Sequence, residues 1–270
     1  MWQNNNVIDK MYKKLAVQVS LHGLSFAIFD TLMDKPLTLQ NIIIDKVPVT
    51  AKFEDLFTDA IQNYPELKAD YDEVVIIHNN NLATFVPATL FDEDYLGSYL
   101  QFNTKVFETD FFAFDVVENY EMNNVYIPYV DINNYFIDQF GSFDYKHANS
   151  ILVHKLLDLS KNKEELQLFA HISETHFEIV VIQNQKLELC NSFEYKTPED
   201  FIYYLLFTAE QLQLNPENVK VELLGKIDFE SELYKMAYKY IRNVSLMDVS
   251  SQHNSFTDAQ NREHFILLNV

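Results

Sequence analysis

The chain has 270 residues, enough for one large domain or two small ones, and its 22 Phe and 16 Tyr supply a core that a disordered chain would lack. Forty acids against 20 bases leave a formal charge of −20, which disfavours nucleic acid and anionic membranes as partners. Only four glycines occur, Gly23, Gly97, Gly141 and Gly225, where average usage would give about nineteen. They are too scattered to build a GxxxxGKS/T or GxGxxG phosphate loop.

From the N-terminus, MWQNNNVIDKMYKK carries no apolar signal-peptide core, so a cytoplasmic protein is expected. Lys14–Leu21 and Leu24–Asp30 are rich in strand formers and flank His22–Gly23, which predicts a hairpin. A third extended run follows at Leu39–Asp45. Over 51–63 the residues Phe53, Leu56, Phe57, Ala60 and Ile61 share one face of a predicted helix. A strand at Glu73–His78 comes next, with further strands near 82–89, 105–117 and 124–130. Asp92, Glu93 and Asp94 open a short helix over 92–101, where acids complement the helix dipole. Another helix starts near Asp131. The Asn-rich segments 79–81, 123–124 and 133–134 read as turns, because Asn tolerates left-handed backbone where Gly is missing.

In the second half, Leu166–Ile172, Phe177–Gln183 and Lys186–Glu194 are predicted strands, the last two joined at Asn184–Gln185. Thr197 as N-cap, Pro198 at the first helical position and the acids Glu199 and Asp200 predict a helix to about Gln213. Its inward residues would be Phe201, Ile202, Leu205, Ala209 and Leu212. The apolar stretch Phe201 to Ala209 is far short of a membrane span. A strand at Val219–Leu224 ends at Gly225, followed by a helix over 229–242 and a strand over 244–249. Hairpin, third strand, helix, strand thus occurs twice, about 150 residues apart, counted by the spacing of the elements.

Candidate chemistry is sparse. There is no HExxH and no GxSxG. Cys190 is the sole cysteine, which excludes an intrachain disulfide and fits a reducing compartment. It reads as a small buried hydrophobe near a strand end. Arg242 and Arg262, the only arginines, read as surface charges. His171, Glu174 and His176 come nearest to a metal cluster, if a turn over 173–175 brings the two imidazoles together. His147 and His154 would share a face if their segment is helical. Asp115 and Glu118 read as solvent-facing acids, and Phe111, Phe112 and Phe114 as core.

The start LAVQVSLHGLSFAIFD, the run LQLFAHISETHFEIVVIQNQKLELCNSFEYKTPEDFIYYLL and the segment VELLGKIDFESELYKMAY resemble a bacterial family known only as domain of unknown function 3822. The resemblance implies an α/β chain with the duplicated ribonuclease-H-like, or actin-like ATPase, fold. It would comprise two βββαβα-type halves, 1–160 with extra strands near 105–130, and 161–270. Members of that superfamily hold ATP with Mg²⁺ between their halves. Their phosphates rest on two hairpins, each bearing an Asp, then Gly two positions on, then Ser or Thr; an adenosine loop carries two glycines. Carried onto this chain, those positions fall on Ser20, His22 and Gly23, on His171, Ser173 and Thr175, and on Gly225. Ser20 and His171 stand in place of Asp, His22 and Ser173 in place of Gly. A Cβ blocks backbone amides from the phosphates, and a missing acid removes the Mg²⁺ organiser. The expectation is a non-catalytic module with a degenerate nucleotide site that binds another protein. The alternative is a divergent ATP-binding enzyme of the same superfamily.

Overall fold

The computed structural model describes residues 10–43, 62–250 and 255–270. The predicted helix over 51–63 lies outside the described residues except for its last two positions. Strands β1 (Lys13–Ser20), β2 (Gly23–Asp30), β3 (Lys35–Ile43) and β4 (Glu73–His78) come first. Then β5 (Ala83–Pro87), β6 (Ala113–Val117) and β7 (Met122–Tyr126) form a separate three-stranded sheet in the order β5-β7-β6. With β8 (Asp144–His147), the first sheet runs β3-β2-β1-β4-β8. Strands β9 (Gln167–Ile172), β10 (His176–Gln183), β11 (Lys186–Glu194), β12 (Lys220–Gly225) and β13 (Asn243–Leu246) form a second sheet, β11-β10-β9-β12-β13. The two five-stranded orders are the same, so the repeat read from element spacing is a repeat of topology.

The described residues fall into two compact units, one drawn from Met1–Ile77 and Tyr129–Tyr145, the other from His78–Pro128 and Lys146–Val270. In the first, β1 and β2 pair without a break from Lys13↔Asp30 to Ser20↔Gly23. Leu15, Val17 and Val19 alternate along β1 into a core shared with Phe26 and Ile28 of β2. Helix α2 (Val130–Phe140; α1, Leu96–Leu100, lies in the other unit) closes that core. Its Ile132 and Phe136, four residues apart and so on one helical face, pack against those strands.

In the second unit β9 and β10 are buried along almost their whole length. Such strands read as continuous apolar runs because both faces are covered. Helix α3 (Ala148–Leu159) packs against β11 and β6. Helices α4 (Pro198–Gln211) and α5 (Glu232–Tyr240) pack together, and Phe201, Ile202, Leu205 and Ala237 enter the core of the second sheet. The start of α4 is set locally. Asp200 N–H donates to Thr197 Oγ1 at 3.2 Å, and Thr197 N–H donates to Asp200 Oδ2 at 3.0 Å. This reciprocal box satisfies two amides that the first helical turn leaves over.

Several sequence expectations are corrected. Asn184 does take left-handed backbone, with φ 51° beside Gln185 at 62°, and this pair turns β10 into β11. The segment 79–81 does connect β4 to β5 with a bend, though without positive φ, whereas Asn123 and Asn124 are buried inside β7 and Asn133 and Asn134 lie within α2. Asn119 and Asn162 supply positive φ instead. Phe111 is 54% exposed, whereas Phe112 and Phe114 do pack against the core of the three-stranded sheet. The strand expected over 105–117 is confined to β6, because the preceding residues form turns.

Candidate functional site

The predicted nucleotide residues lie on two hairpins and one strand end. At the first hairpin Leu21 and His22 form a two-residue loop closed by the Ser20↔Gly23 pair. The Ser20 hydroxyl donates to Gly23 O at 3.2 Å and accepts from the His22 amide at 3.3 Å. It is therefore engaged within its own turn. Gly23 has φ +153°, and a Cβ there would stand 2.3 Å from Ile42 O on β3. The close passage of β3 accounts for this glycine without any ligand.

At the second hairpin the loop residues are again held by their surroundings. Ser173 N–H donates to His176 O at 2.9 Å, and Tyr195 OH donates to Ser173 O at 2.8 Å. Tyr195 N–H donates to Thr175 O at 3.1 Å. Glu174 is ion-paired with Lys226, which follows Gly225. Gly225 has φ +86°, and a Cβ there would meet Ile172 O at 2.2 Å and Ile172 N at 2.7 Å. Parallel pairing of β12 on β9 sets Gly225 opposite Ile172, and Lys226 N–H continues the ladder to Ile172 O at 2.8 Å. Here too the strand packing itself requires glycine.

Glu178, not Glu174, sits between the two histidines. Period-two alternation puts His176 and Glu178 on one face of β10, and the register sets His171 of β9 directly opposite Glu178. His171 Nδ1 donates to Glu178 Oε2 at 3.0 Å. His176 Nε2 lies 3.3 Å from Oε1, and Ser192 Oγ donates to the same oxygen at 3.3 Å. Burial by itself would raise the carboxyl pKa, but the His176 charge and the His171 hydrogen bond outweigh it and hold Glu178 well below the usual carboxylate range. Burial likewise disfavours the His176 imidazolium, and the Glu178 charge prevails and raises its pKa. Among the described residues no three His, Cys, Asp or Glu side chains are placed to hold a metal ion. The sequence reading passed over Glu178; the available signal was a single acid inside the otherwise apolar run of a doubly covered strand.

A second polar network surrounds Asp115, which is half-buried and hydrogen-bonded and so is not the solvent-facing acid the sequence suggested. Its carboxylate accepts from His147 N at 2.8 Å, Ser150 Oγ at 2.5 Å and Tyr126 OH at 3.0 Å. Burial raises its pKa against the opposing effect of these three donors. His147 is the N-cap of α3 and lies outside the helix that carries His154. Its Nδ1 accepts from Asn149 N–H at 3.1 Å, which places the ring proton on Nε2, 3.3 Å from Asn80 Oδ1. Burial, then the charge of His78, pushes the His147 pKa down to about 3. Cys190 lies in the body of β11 and not at its end; burial, with the Glu178 charge adding to it, pushes the thiol up, away from any nucleophilic role. Arg242 is a surface charge paired with Glu217 at 3.2 Å, whereas Arg262 is half-buried.

The family described as "Protein of unknown function (DUF3822)" matches residues 2–244. No curated protein matches. A solved protein of Bacteroides thetaiotaomicron, described as having an actin-like ATPase fold and unknown function, superposes with a TM-score of 0.81 at 20% identity, covering 96% of both chains. The PilM–PilN type IV pilus biogenesis complex contributes a chain with a TM-score of 0.58 at 12% identity, covering 94% of this chain and 96% of that one. The fold is the actin-like ATPase fold, as the resemblance implied.

Proposed function

The chain belongs to the family of domain of unknown function 3822, and on that premise we propose that it is a non-catalytic protein-binding or assembly module whose phosphate-holding hairpins no longer take a nucleotide. One observation carries this reading. Where the superfamily resemblance puts the acid of the second hairpin stands His171, 4% exposed and tied to Glu178 at 3.0 Å. Mg²⁺ demands hard oxygen ligands in near-octahedral array, and an imidazole locked to a buried carboxylate provides none. Ser20, the counterpart on the first hairpin, spends its hydroxyl on its own turn. A net charge of −20 adds a general repulsion toward polyphosphate. That Gly23 and Gly225 are needed for strand packing removes them as signs of a retained phosphate loop. A protein-partner role is one this fold carries in PilM, which was solved together with PilN.

Thermal unfolding with ATP, ADP and Mg²⁺, separately and together, tests the reading. A ligand specific for the folded state at a hundred times its Kd stabilises by about 2.7 kcal/mol. No shift is expected. A saturable rise that requires Mg²⁺ would overturn the proposal and establish the ATP-binding alternative. For the partner role, affinity purification from native lysate is expected to recover one protein at fixed stoichiometry.

A further inference from the structure

A cavity of about 270 Å³ opens within the second unit, bordered by β5 and β11, each an edge strand of its sheet. Asn81, Asn103, Asn149, Asn191 and Ser192 line it, and no charged side chain does. That is unusual in a chain with 22% charged residues. Two lining side chains already engage acids outside the lining: Asn81 Nδ2 donates to Glu194 at 3.1 Å, and Ser192 Oγ donates to Glu178 at 3.3 Å. A cation therefore finds no uncompensated carboxylate in the lining, and an anion finds no Lys or Arg.

The wall is rich in hydrogen-bonding capacity. Each Asn offers both a donor and an acceptor on one planar group. Asn103 uses Nδ2 on Thr84 Oγ1 at 3.0 Å, leaving its carbonyl oxygen without a described partner. The exposed Asn191 side chain makes no described hydrogen bond. Phe85, Phe102 and Phe193 give apolar ring surface beside the amides, and Ala83 and Cys190 complete the lining. Hydroxyl groups donate and accept at once, as the amides do, and the C–H faces of a sugar ring suit aromatic surface. The volume lies just below the roughly 300–1,000 Å³ of sites for drug-sized ligands, which suits a smaller ligand.

We propose that the cavity between β5 and β11 is a binding site for an uncharged, hydroxyl-rich ligand of monosaccharide size. None of its lining residues belongs to either hairpin tip, so the assignment stands whether or not those tips take a nucleotide. Saturation-transfer NMR titrations of the whole chain with glucose, galactose, mannose, xylose and N-acetylglucosamine test it, with glucosamine and glucuronate as cationic and anionic counterparts. At least one neutral sugar is expected to bind saturably, and the charged forms to bind more weakly. Asn103→Ala and Asn191→Ala, both at exposed positions, should leave the melting temperature unchanged and weaken binding roughly tenfold, the scale of one lost hydrogen bond. The assignment is overturned if no neutral sugar saturates, if a charged form binds as tightly, or if neither variant changes affinity.

Discussion

At the scale of single residues, buried histidines govern how this protein responds to pH. His147 has a folded pKa of about 3 against an ordinary 6.5, so below 6.5 the unfolded chain takes up a proton that the folded chain refuses. Stability then falls with acidification by about 1.4 kcal/mol per pH unit from this group. Asn is itself a good N-cap, so His147→Asn should keep α3 and remove that slope. Urea unfolding between about pH 7 and pH 5 checks this, and parallel pH profiles for the two proteins would refute it. The Glu178 cluster has the opposite sense on its histidine side. Glu178, with a depressed pKa, contributes above its unfolded 4.5 and loses that contribution as pH falls through its folded value. His176, with a raised pKa, contributes below 6.5 and loses it as pH rises through its folded value. Both contributions are fully present only between about 4.5 and 6.5. Glu178→Ala strands two buried imidazoles and should cost about 3 kcal/mol or more near pH 6. A loss under about 1 kcal/mol would show that the cluster is not a stabilising unit. The sequence singled out His171 and His176 but not the carboxylate that joins them, and it did not connect Asp115 with His147. Asp115 and His147 are 32 positions apart, and only folding brings the His147 amide to the Asp115 carboxylate.

At the scale of elements, two glycines separate backbone strain from close approach. Gly141 ends α2 with φ +75°, and an added Cβ there meets nothing within 4 Å. Gly225 has a similar φ of +86°, but its Cβ would lie 2.2 Å from Ile172 O. Gly141→Ala should therefore cost only the φ penalty, about 1–2 kcal/mol. Gly225→Ala should cost clearly more, because β12 must move away from β9. Equal losses in urea denaturation would sink this account. Elements were also where the sequence was most readable. The boundaries of β4 and β11 and the cap at Thr197 follow from local patterns: apolar runs between turn residues, and an N-cap with acids behind it. The helix α3 was read only conditionally, since its buried residues include Asn149 and Ser150 and so blur the helical stripe.

At the scale of the whole molecule, charge is the dominant fact. With a net charge of −20 the folded state is stressed by self-repulsion, which salt screens over a Debye length of about 10 Å at 0.1 M. The melting temperature should rise as NaCl increases from about 20 to 200 mM, a range across which that length shortens several-fold. A flat or falling curve would mean that the acids are dispersed well enough for local ion pairs, such as Lys220–Glu165 at 2.6 Å, to outweigh the net field. The sequence alone determined the acidity, the scarcity of glycine and the doubled order of strands, because each of these is a matter of composition or of local periodicity. Tertiary structure decided what the remaining glycines and histidines are for. Gly23 and Gly225 are held by strands that pass against their Cα atoms, and His171 is held by a carboxylate on the neighbouring strand. Those contacts follow from sheet register, which no window of neighbouring residues contains.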